Sequence, residues 1–467
     1  MALTKAHNRM IAGSVVNVLD FGATGNGTTD DTAAIQAAID SLSSTGGKVH
    51  VPVGVYLVSS PIELSTGSGS RSIILYGDGT GQVNNVTNSA TVISNSANTN
   101  CLVIRGLGGD GVRDLSIIDS FSGTRTAGNG IHVNRAGSPN GNSTFELNNV
   151  HVADHFNGFY MARPVLSLLS NCIARGSLNH GYFFDTDASG SGTSVQFSSC
   201  WAQESGVDGY NIDGSQYILF NNCAVDGSGR YGYSVDNSGG VNPNGVTFIG
   251  CGAEANTNDN FNISSMSALS IVGGSSVTSG ADGIHLVSVN GGCISGIKLS
   301  GNTGYGLNID NTCTNITSIS PNFISNTAGE INDTGNKHIG INSADAGVIS
   351  TSGTAANPSF TFGADPDTGL YLLSDGTIGV TVAGTRKYRI NASAFSPSDS
   401  KAAGLGSSSY PFKDGYIYEF IQGEEMSEPS AGPSNTGRLF YKDNGSGKTQ
   451  LCVKFNTGAT QVLATQP

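Results

Sequence analysis

Short segments that alternate between apolar and polar residues recur along the chain between about Gly130 and Leu307. Each segment opens with a turn residue. The positions one and three residues later are apolar, while the position between them is mostly polar, which is typical of a strand with one buried face. The turn positions, which are 28, 23, 28, 23, 28, 23 and 23 residues apart, are Gly130, Gly158, Gly181, Gly209, Gly232, Asn260, Gly283 and Gly306.

A second column of residues keeps the same irregular spacing. A strand with inward apolar residues precedes each member of this column and a short strand follows it, which makes three strands per repeat. The members, each nine residues before a turn position, are Cys172, Cys200, Cys223 and Cys251. Repeats of 23–28 residues with this content predict an all-β protein, a parallel β-helix whose coils lie about 4.8 Å apart.

The composition agrees with this prediction and excludes several partners. Charged residues make up 12% of the 467 residues, about half the usual share, and 66 residues are glycine. The net charge of −13 argues against nucleic acid and anionic membranes as partners. No apolar run approaches the roughly 18 residues of a membrane span, and the opening residues lack the apolar segment of a signal peptide. We therefore expect no membrane insertion.

Free thiols are the better interpretation of the cysteine column. Neighbouring coils place successive Cβ atoms about 4.8 Å apart, whereas a disulfide needs about 3.8 Å. Free cysteine is a good small core residue, and free thiols fit folding in a reducing cytoplasm.

A short amphipathic helix is predicted before the coils, over residues 30–43. Thr28 and Asp31 have the spacing of a capping box. One helical face carries Ile35, Ala38, Ile39 and Leu42. The open end of a solenoid exposes apolar core, so we assign this helix the role of an N-terminal cap.

Residues 17–58 carry a specific resemblance. They include the run Val18-Leu-Asp-Phe-Gly-Ala-Thr-Gly-Asn-Gly-Thr-Thr-Asp31. This segment resembles the opening of the pectate-lyase-like, right-handed parallel β-helix families, in the version common in bacteriophage tailspikes and tail fibres. The chain start, Met1-Ala-Leu-Thr-Lys5, is similar to phage tail proteins in particular. The resemblance implies a virion protein of the phage tail, made in the host cytoplasm, that recognises a bacterial surface polysaccharide.

Four regions are predicted along the chain. Residues 1–16 form a lead that would attach to other phage tail or baseplate proteins, and residues 17–340 form the capped β-helix. A Ser/Gly/Ala-rich linker follows over 341–356. Residues 357–467 contain short strands separated by turn residues and resemble C-terminal segments of tail proteins that associate as trimers, so we expect a homotrimer. The alternative for this last region is an independent carbohydrate-binding β-domain.

The first candidate site is an outward column four residues after the turn positions. Asp185, Asp213 and Asp236 stack there on three consecutive coils. Close like charges raise the pKa of at least one carboxyl, and a glycosidase needs one acid and one carboxylate. In this arrangement Asp213, between two like charges, is the expected general acid, and Asp185 or Asp236 the nucleophile or base. The alternative is that each aspartate caps the turn that follows it.

A second-choice column lies on another face of the coils. Asp226 and Glu254 occupy it on adjacent coils, and Trp201, which points outward, is a candidate sugar platform. His151 and His155 have the spacing of zinc ligands, but no third ligand is evident, so we expect no metal and no cofactor.

The resemblance leaves the reaction open. Galacturonan hydrolases of the superfamily use an Asn-x-Asp, a neighbouring aspartate pair and a Gly-His-Gly. Here Asn211-Ile-Asp213 matches the first loosely, but the next coil has no aspartate pair and the chain has no Gly-His-Gly. The favoured hypothesis is a depolymerase of bacterial surface polysaccharide, a hydrolase rather than a lyase. The competing hypothesis is a non-catalytic receptor-binding or structural tail fibre protein.

Overall fold

The structure is a computed structural model that describes residues 15–64, 72–81, 90–105, 109–134, 144–186, 192–334, 338–342, 347–349, 352–362, 365–399 and 423–467. Nearly all of the predicted lead, residues 1–16, lies outside the described residues.

The prediction of a parallel β-helix is confirmed. The chain forms an all-β right-handed solenoid of about 11 turns with almost no helix. Each apolar column predicted from the sequence becomes a ladder of paired residues: Phe159 pairs with Tyr182, Tyr182 with Tyr210, and Tyr210 with Tyr233. All pairings between coils are parallel, as expected when each strand lies one full coil beyond its partner.

The described strands of the solenoid and the segment that follows it are, in chain order, β1 Val16–Asn17, β2 Asn26–Asp30, β3 Gly47–His50, β4 Gly54–Val58, β5 Ile62–Leu64, β6 Ile73–Tyr76, β7 Thr91–Asn95, β8 Leu102–Ile104, β9 Asp110–Asp119, β10 Asn129–Val133, β11 Phe145–Ala153, β12 Asn157–Ala162, β13 Val165–Ser170, β14 Ile173–Arg175, β15 Tyr182–Asp185, β16 Thr193–Ser198, β17 Trp201–Gln203, β18 Tyr210–Asp213, β19 Gln216–Asn221, β20 Ala224–Asp226, β21 Tyr233–Asp236, β22 Thr247–Ile249, β23 Gly252–Glu254, β24 Phe261–Ser264, β25 Ser267–Val272, β26 Ser275–Val277, β27 Ile284–Val287, β28 Asn290–Ser295, β29 Lys298–Ser300, β30 Tyr305–Ile309, β31 Thr314–Ile319, β32 Asn322–Ile324, β33 Gly329–Asp333, β34 His338–Asn342 and β35 Gly347–Ile349.

Two sets of parallel strands wrap around one core. An 11-stranded sheet runs in the order β33-β30-β27-β24-β21-β18-β15-β12-β10-β8-β5. The other 24 strands form the remaining walls. The longer strands before the cysteines pair from coil to coil in one ladder, and the short strands after the cysteines pair in another. The long strands β9 and β11 belong to both of these ladders, which joins the two walls.

Two aromatic ladders fill the middle of the core. Tyr210 stacks on Tyr182 at 4.6 Å and on Tyr233 at 4.8 Å between ring centroids. Phe220 belongs to the second ladder, stacks on Phe248 at 4.8 Å, and meets Tyr210 edge-on at 5.4 Å. Stacked and edge-on pairs are favourable aromatic geometries, so the interior gains more than the burial of apolar area alone.

The cysteine column lies in the same core, and its four members are buried. The thiol of Cys200 donates a weak hydrogen bond to the Leu169 carbonyl at 3.4 Å. Burial raises the pKa of Cys101, another interior cysteine, well above its usual range, so that thiol stays protonated.

The predicted helix is present as α1, Thr32–Asp40, after a 3-10 helix at Val18–Phe21. Ile35, Ala38 and Ile39 of α1 are buried in the main core; its role as a cap stays a prediction. The predicted capping box is wrong. The carboxylate of Asp31 instead accepts the backbone N–H groups of Thr24 and Gly25, at 2.7 and 3.0 Å, and so closes the preceding turn.

Two compact units divide the chain at Thr385 and Arg386. Strand β34 ends just inside the region predicted as a linker, 341–356, and pairs antiparallel with β35, which lies within that region. The remaining strands are β36 Phe360–Phe362, β37 Asp365–Ser374, β38 Thr377–Val382, β39 Thr385–Asn391, β40 Phe395–Pro397, β41 Gly437–Asp443, β42 Thr449–Phe455 and β43 Gln461–Thr465. In the first unit β36, β37 and β38 pair antiparallel, and in the second β41, β42 and β43 do so.

Candidate functional site

The outer surface of the 11-stranded sheet, from β10 to β30, is called here the front face. Alternate residues of a strand point to opposite sides, so the residue between the two inward apolar positions and the residue after the second of them face outward. The inward positions of these strands are packed in the core. Chemistry in these coils therefore has to come from outward side chains.

An aromatic run crosses the front face on three consecutive coils. His132 stacks on Tyr160 at 4.6 Å between ring centroids, and Tyr160 meets Phe183 edge-on at 5.5 Å. All three side chains are only partly buried, so they offer apolar surface to a flat ligand such as a sugar ring. Burial, with a smaller contribution from the charge of Arg105, lowers the pKa of His132 to about 4, which leaves its imidazole neutral at pH 7.

The first carboxylate of the predicted column lies beside this aromatic run. Asp185 ends β15 and is partly exposed. The hydroxyl of Tyr160, one coil away, donates a hydrogen bond to Oδ2 of Asp185. This contact joins the aromatic run to the aspartate column, and it was not predicted from the sequence.

The middle carboxylate of the column is covered. Asp213 is 4% exposed, and its Oδ1 accepts the backbone N–H of Gly239 at 2.8 Å. Burial raises the pKa of Asp213; the hydrogen bond from Gly239 opposes that shift, and the charge of Asp236 adds to it. The direction agrees with the sequence prediction, but burial rather than the neighbouring charge is its main cause.

The third carboxylate holds a turn. Asp236 pairs with Asp213 across the sheet, and its Oδ1 accepts from the backbone N–H and the hydroxyl of Ser238 at 3.1 and 2.8 Å. Asp236 is partly exposed. It therefore performs the turn-capping role of the alternative interpretation, while its Oδ2 accepts from the Ser234 hydroxyl at 3.5 Å.

Two loops, over 186–193 and 237–244, carry the extra length of the 28-residue coils, and the sequence predicts that they wall a groove beside the aspartate column. The loop over 237–244 carries Gly239 onto Asp213, so it forms a cover over the column rather than a separate wall. Residues 187–191 of the other predicted wall, Thr186 to Thr193, lie outside the described residues.

A second charged cluster lies at the opposite edge of the front face, just before β18. Asp208 is fully buried and accepts from Nε and Nη2 of Arg230 at 2.8 and 2.5 Å, while Nδ1 of His180 lies 3.4 Å away. Burial acts to raise the pKa of Asp208, but hydrogen bonds from Arg230, His180 and Asn211 outweigh it and lower the pKa to about 2. The sequence prediction missed this cluster. Its signal in the sequence is Asp208, directly before the turn position Gly209, and Arg230, two residues before the next turn position, Gly232.

The same edge holds three side chains that could be considered as metal ligands. Among the described residues, Asp259, Asp282 and His285 bring their ligand atoms within 4.8 Å of one another. These atoms are engaged already: Asp259 accepts the backbone N–H of Asp282 at 2.8 Å, and Asp282 accepts that of Tyr305 at 2.6 Å. Nδ1 of His285 lies 3.3 Å from Asp259. The cluster fits a hydrogen-bonded ladder that ties three coils together, and we assign it no ion.

The second-choice column lies on another wall of the solenoid. Asp226 pairs with Glu254 on the next coil, and Gln203 precedes them in the same column. Trp201 lies two residues before Gln203 on β17 and is partly exposed. The structure therefore places Trp201 with the second-choice column, and on a different wall from Asp185 and its neighbours.

The histidines considered for zinc do not form a site together. His155 is buried in the core region, where its Nδ1 lies 2.8 Å from the Ala153 carbonyl. His151 points outward from β11 and pairs with Ile173 of the next coil. Burial lowers the pKa of both imidazoles, to about 4 for His155.

The architecture defines a pectate-lyase-like β-helix. Residues 15–271, more than half of the chain, match the family described as rhamnogalacturonase A/epimerase, pectate lyase-like. The chain belongs to this family. Within the described residues, no helix is long and apolar enough to cross a membrane.

Similar proteins of known name match short or distant parts. Mannuronan C5-epimerase AlgE3 of Azotobacter vinelandii is 57% identical over 53 residues, which are 11% of this chain and 3% of that protein. Alginate lyase 7 of the same organism is 57% identical over 53 residues, 11% of this chain and 6% of that protein. The chain thus spans only a small fraction of the length of these relatives.

Two solved structures share the fold. The A-module of mannuronan C-5 epimerase AlgE6 from Azotobacter vinelandii has a TM-score of 0.54 and 19% identity, covering 69% of this chain and 97% of that one. ORF18 of Geobacillus virus E2 has a TM-score of 0.50 and 15% identity, covering 96% of this chain and 86% of that one. At these identities the similarity establishes the fold alone.

Proposed function

We propose that this chain is a tailspike or tail fibre protein of a bacteriophage that binds a bacterial surface polysaccharide on the front face and hydrolyses it. One observation carries the proposal: a partly exposed aromatic run and a column of aspartates meet on adjacent coils, joined by the hydrogen bond from Tyr160 to Asp185. The similarity in fold to a viral protein over 96% of the chain supports the phage assignment.

The carboxylate spacing suits glycoside hydrolysis in either of two ways. Adjacent coils separate Asp185 from Asp213 by about 5 Å, the range of retaining enzymes. Asp185 and Asp236 are two coils apart, about 9.5 Å, at the upper end of the inverting range. The raised pKa of Asp213 suits a general acid, but the 237–244 loop must move before Asp213 can reach a sugar. Asp185 and Asp236 are both partly exposed, so this pair needs no such movement.

A direct experiment separates cleavage from binding. Purified protein is incubated with a panel of capsular and O-antigen polysaccharides, and new reducing ends and the absorbance of unsaturated products are both measured. New reducing ends without unsaturated products are expected for a hydrolase. Unsaturated products would identify a lyase instead, and no cleavage of any polymer by protein that binds it would contradict catalysis.

The second candidate is a non-catalytic receptor-binding or structural tail fibre protein. Its support is the turn geometry of the column, since Asp236 caps the Ser238 turn and Asp213 holds Gly239. These contacts explain both aspartates without any reaction. Tight binding to a glycan with no product after long incubation would decide for this candidate.

A homotrimer is part of the proposal. The first compact unit exposes apolar side chains on its antiparallel strands, with Phe362 66% exposed beside a cleft of about 360 Å³. Exposed apolar patches of this kind mark contact surfaces. The cleft is lined by Phe360, Thr361, Phe362, Thr368, Gly369, Leu370, Val380, Thr381 and Val382. Light scattering should give three chains per particle at micromolar concentration, and a monomer would contradict the trimer.

A further inference from the structure

We propose that the glycan bound on the front face is an uncharged polymer, built from neutral or N-acetylated sugars, and not a polyuronate. This inference rests on the proposed function and adds the class of substrate. It is carried by the sign and position of the charges that surround the aromatic run.

Carboxylates dominate both edges of the front face from β15 to β30. Three arginines lie on this face or beside it. The charge of Arg105 acts on His132 and its guanidinium pairs with Glu63 at 3.0 Å, Arg163 donates its backbone N–H to the Asp185 carbonyl at 3.3 Å, and the third is Arg230. Arg230 gives two hydrogen bonds to Asp208, so its charge is offset within the protein. The aspartates at the strand ends, in chain order, are Asp185, Asp208, Asp213, Asp236, Asp259, Asp282 and Asp310.

The histidines of the same edge do not reverse this balance. His180 lies 3.4 Å from Asp208, and His285 lies 3.3 Å from Asp259. Even when protonated, each would pair with an aspartate of the protein instead of facing a ligand. His132, in the aromatic run, is neutral at pH 7 because burial lowers its pKa to about 4.

A polyuronate on this face would meet charges of its own sign at the partly exposed Asp185, Asp236 and Asp310. Asp208 adds little, because Arg230 offsets its charge, and Asp213 adds little, because burial raises its pKa.

Each coil from β15 to β30 carries at least one of the strand-end aspartates, whereas the coils of β10 and β12 carry none. Because neighbouring coils are about 4.8 Å apart, a chain that continues from Phe183 towards β30 passes one or more aspartates at each step. These separations lie within the Debye length of about 8 Å at physiological salt, so solvent ions screen the repulsion only in part. The net charge of −13 adds a long-range repulsion of the same sign.

An uncharged sugar suits the same groups. Ionised carboxylates only accept hydrogen bonds, while sugar hydroxyl and N-acetyl N–H groups can donate them. The partly exposed rings of Tyr160 and Phe183 offer apolar contact to the C–H faces of a sugar. An uncharged glycan can therefore donate hydrogen bonds to the carboxylates of the front face and lay its apolar C–H faces on the aromatic rings.

The test uses a matched set of polymers made from one parent. The neutral polymer that the protein binds in the panel is oxidised at its primary hydroxyls, so that they become carboxylates, and part of that product is methyl-esterified to remove the charge again. Affinity for all three is measured at about 0.01 M and about 0.15 M salt, where the Debye lengths are about 30 Å and 8 Å.

We expect the oxidised polymer to bind at least about tenfold more weakly than the parent at low salt, to recover part of that loss at higher salt, and to regain affinity on esterification. The affinity for the neutral parent should change little with salt. A polyuronate as the tightest ligand in the panel, or equal affinity for the parent and oxidised polymers at low salt, would overturn the inference while leaving glycan binding intact. Failure to bind any polymer would instead overturn the proposed function itself.

Discussion

The interior of the solenoid and its front face are built from the same strands but follow opposite rules. Inside, one position keeps the same kind of side chain on coil after coil, as in the stack of Tyr182, Tyr210 and Tyr233. On the front face the corresponding outward position changes at each step, from Tyr160 to Phe183 and then to Asn211. Packing needs repetition, because each ring must fit the one below it.

A binding or catalytic site needs variation instead of repetition, because one ligand requires different groups in fixed places. The aromatic run gives way to polar residues within two coils, and the aspartate column begins at the same point. A repeat protein can therefore hold a local site without disturbing its core. The predictions that follow test this division of roles.

The largest expected effect is on cleavage. Replacing Asp213→Asn should lower the rate by about 10²- to 10⁴-fold if Asp213 is the general acid, because Asn keeps the shape and loses the transferable proton. Trimer and binding should be unchanged, since the side-chain oxygen of Asn can still accept from Gly239. The rate is followed by new reducing ends.

Asp185→Asn and Asp236→Asn are measured in parallel. A loss in these two variants with a wild-type rate for Asp213→Asn would assign catalysis to the exposed pair. Asp443→Asn is the matched control, because Asp443 caps a turn through the Gly445 N–H at 2.8 Å in the other compact unit. Wild-type rates in all of them would leave the column as turn caps only and turn attention to Glu254.

The second prediction concerns the core. Tyr210→Ala should lower the free energy of unfolding by about 3–5 kcal/mol, because it removes a ring that contacts both aromatic ladders and leaves a cavity. Urea unfolding followed by circular dichroism measures the change. Leu178→Ala, at a side chain 50% exposed, is the control and should cost less than about 0.5 kcal/mol. Similar losses in both variants would contradict the special role of the ladder.

The coil register could be predicted from the sequence because the inward columns repeat one requirement on every coil, a buried apolar side chain at a fixed offset from the turn. The aspartate column was predicted for the same reason, since Asp185, Asp213 and Asp236 share one offset from their turns. The contact of Tyr160 with Asp185 was not, because it joins two different columns on different coils. The offset of a residue from its turn shows which column it belongs to, but not which side chains of two different columns come into contact.

The cover over Asp213 could not be predicted either. It depends on the path of the 237–244 loop, which lies outside the periodic pattern and brings Gly239 onto the carboxylate. The capping box failed for a similar local reason. Asp31 has two backbone N–H groups of the preceding turn within reach, and they compete with the helix for its carboxylate.

The third prediction concerns acid stability at the edge of the front face. The folded-state pKa of Asp208, about 2, lies below the usual value of 3.8, so this group stabilises the fold above about pH 4 and loses that contribution as the pH falls towards 2. Arg230→Gln should raise the pKa of Asp208 and shift this loss to higher pH. At pH 7 we expect a cost of about 1–2 kcal/mol, since Arg230 is 43% exposed and solvent weakens the pair.

Unfolding measured from pH 2 to pH 7 tests this expectation. Arg438→Gln is the control, because the Arg438 guanidinium donates to Ser430 and not to a carboxylate in the described structure. Equal pH profiles for both variants would show that Arg230 does not set the titration of Asp208.

The smallest effect compares two hydroxyls inside the same aromatic ladder. The Tyr182 hydroxyl donates to the Cys172 carbonyl at 2.7 Å, whereas the Tyr210 hydroxyl is buried with no partner among the described residues. Tyr182→Phe should therefore cost about 1 kcal/mol, and Tyr210→Phe should be neutral or slightly stabilising, because an unpaired buried hydroxyl carries only its desolvation cost. Both rings keep their stacking in these variants, so the difference between the two free energies of unfolding isolates the hydrogen bond. A larger loss of unfolding free energy for Tyr210→Phe than for Tyr182→Phe would show that the Tyr210 hydroxyl has a polar partner in the core. The contrast between a repetitive core and a varied front face would then be too simple.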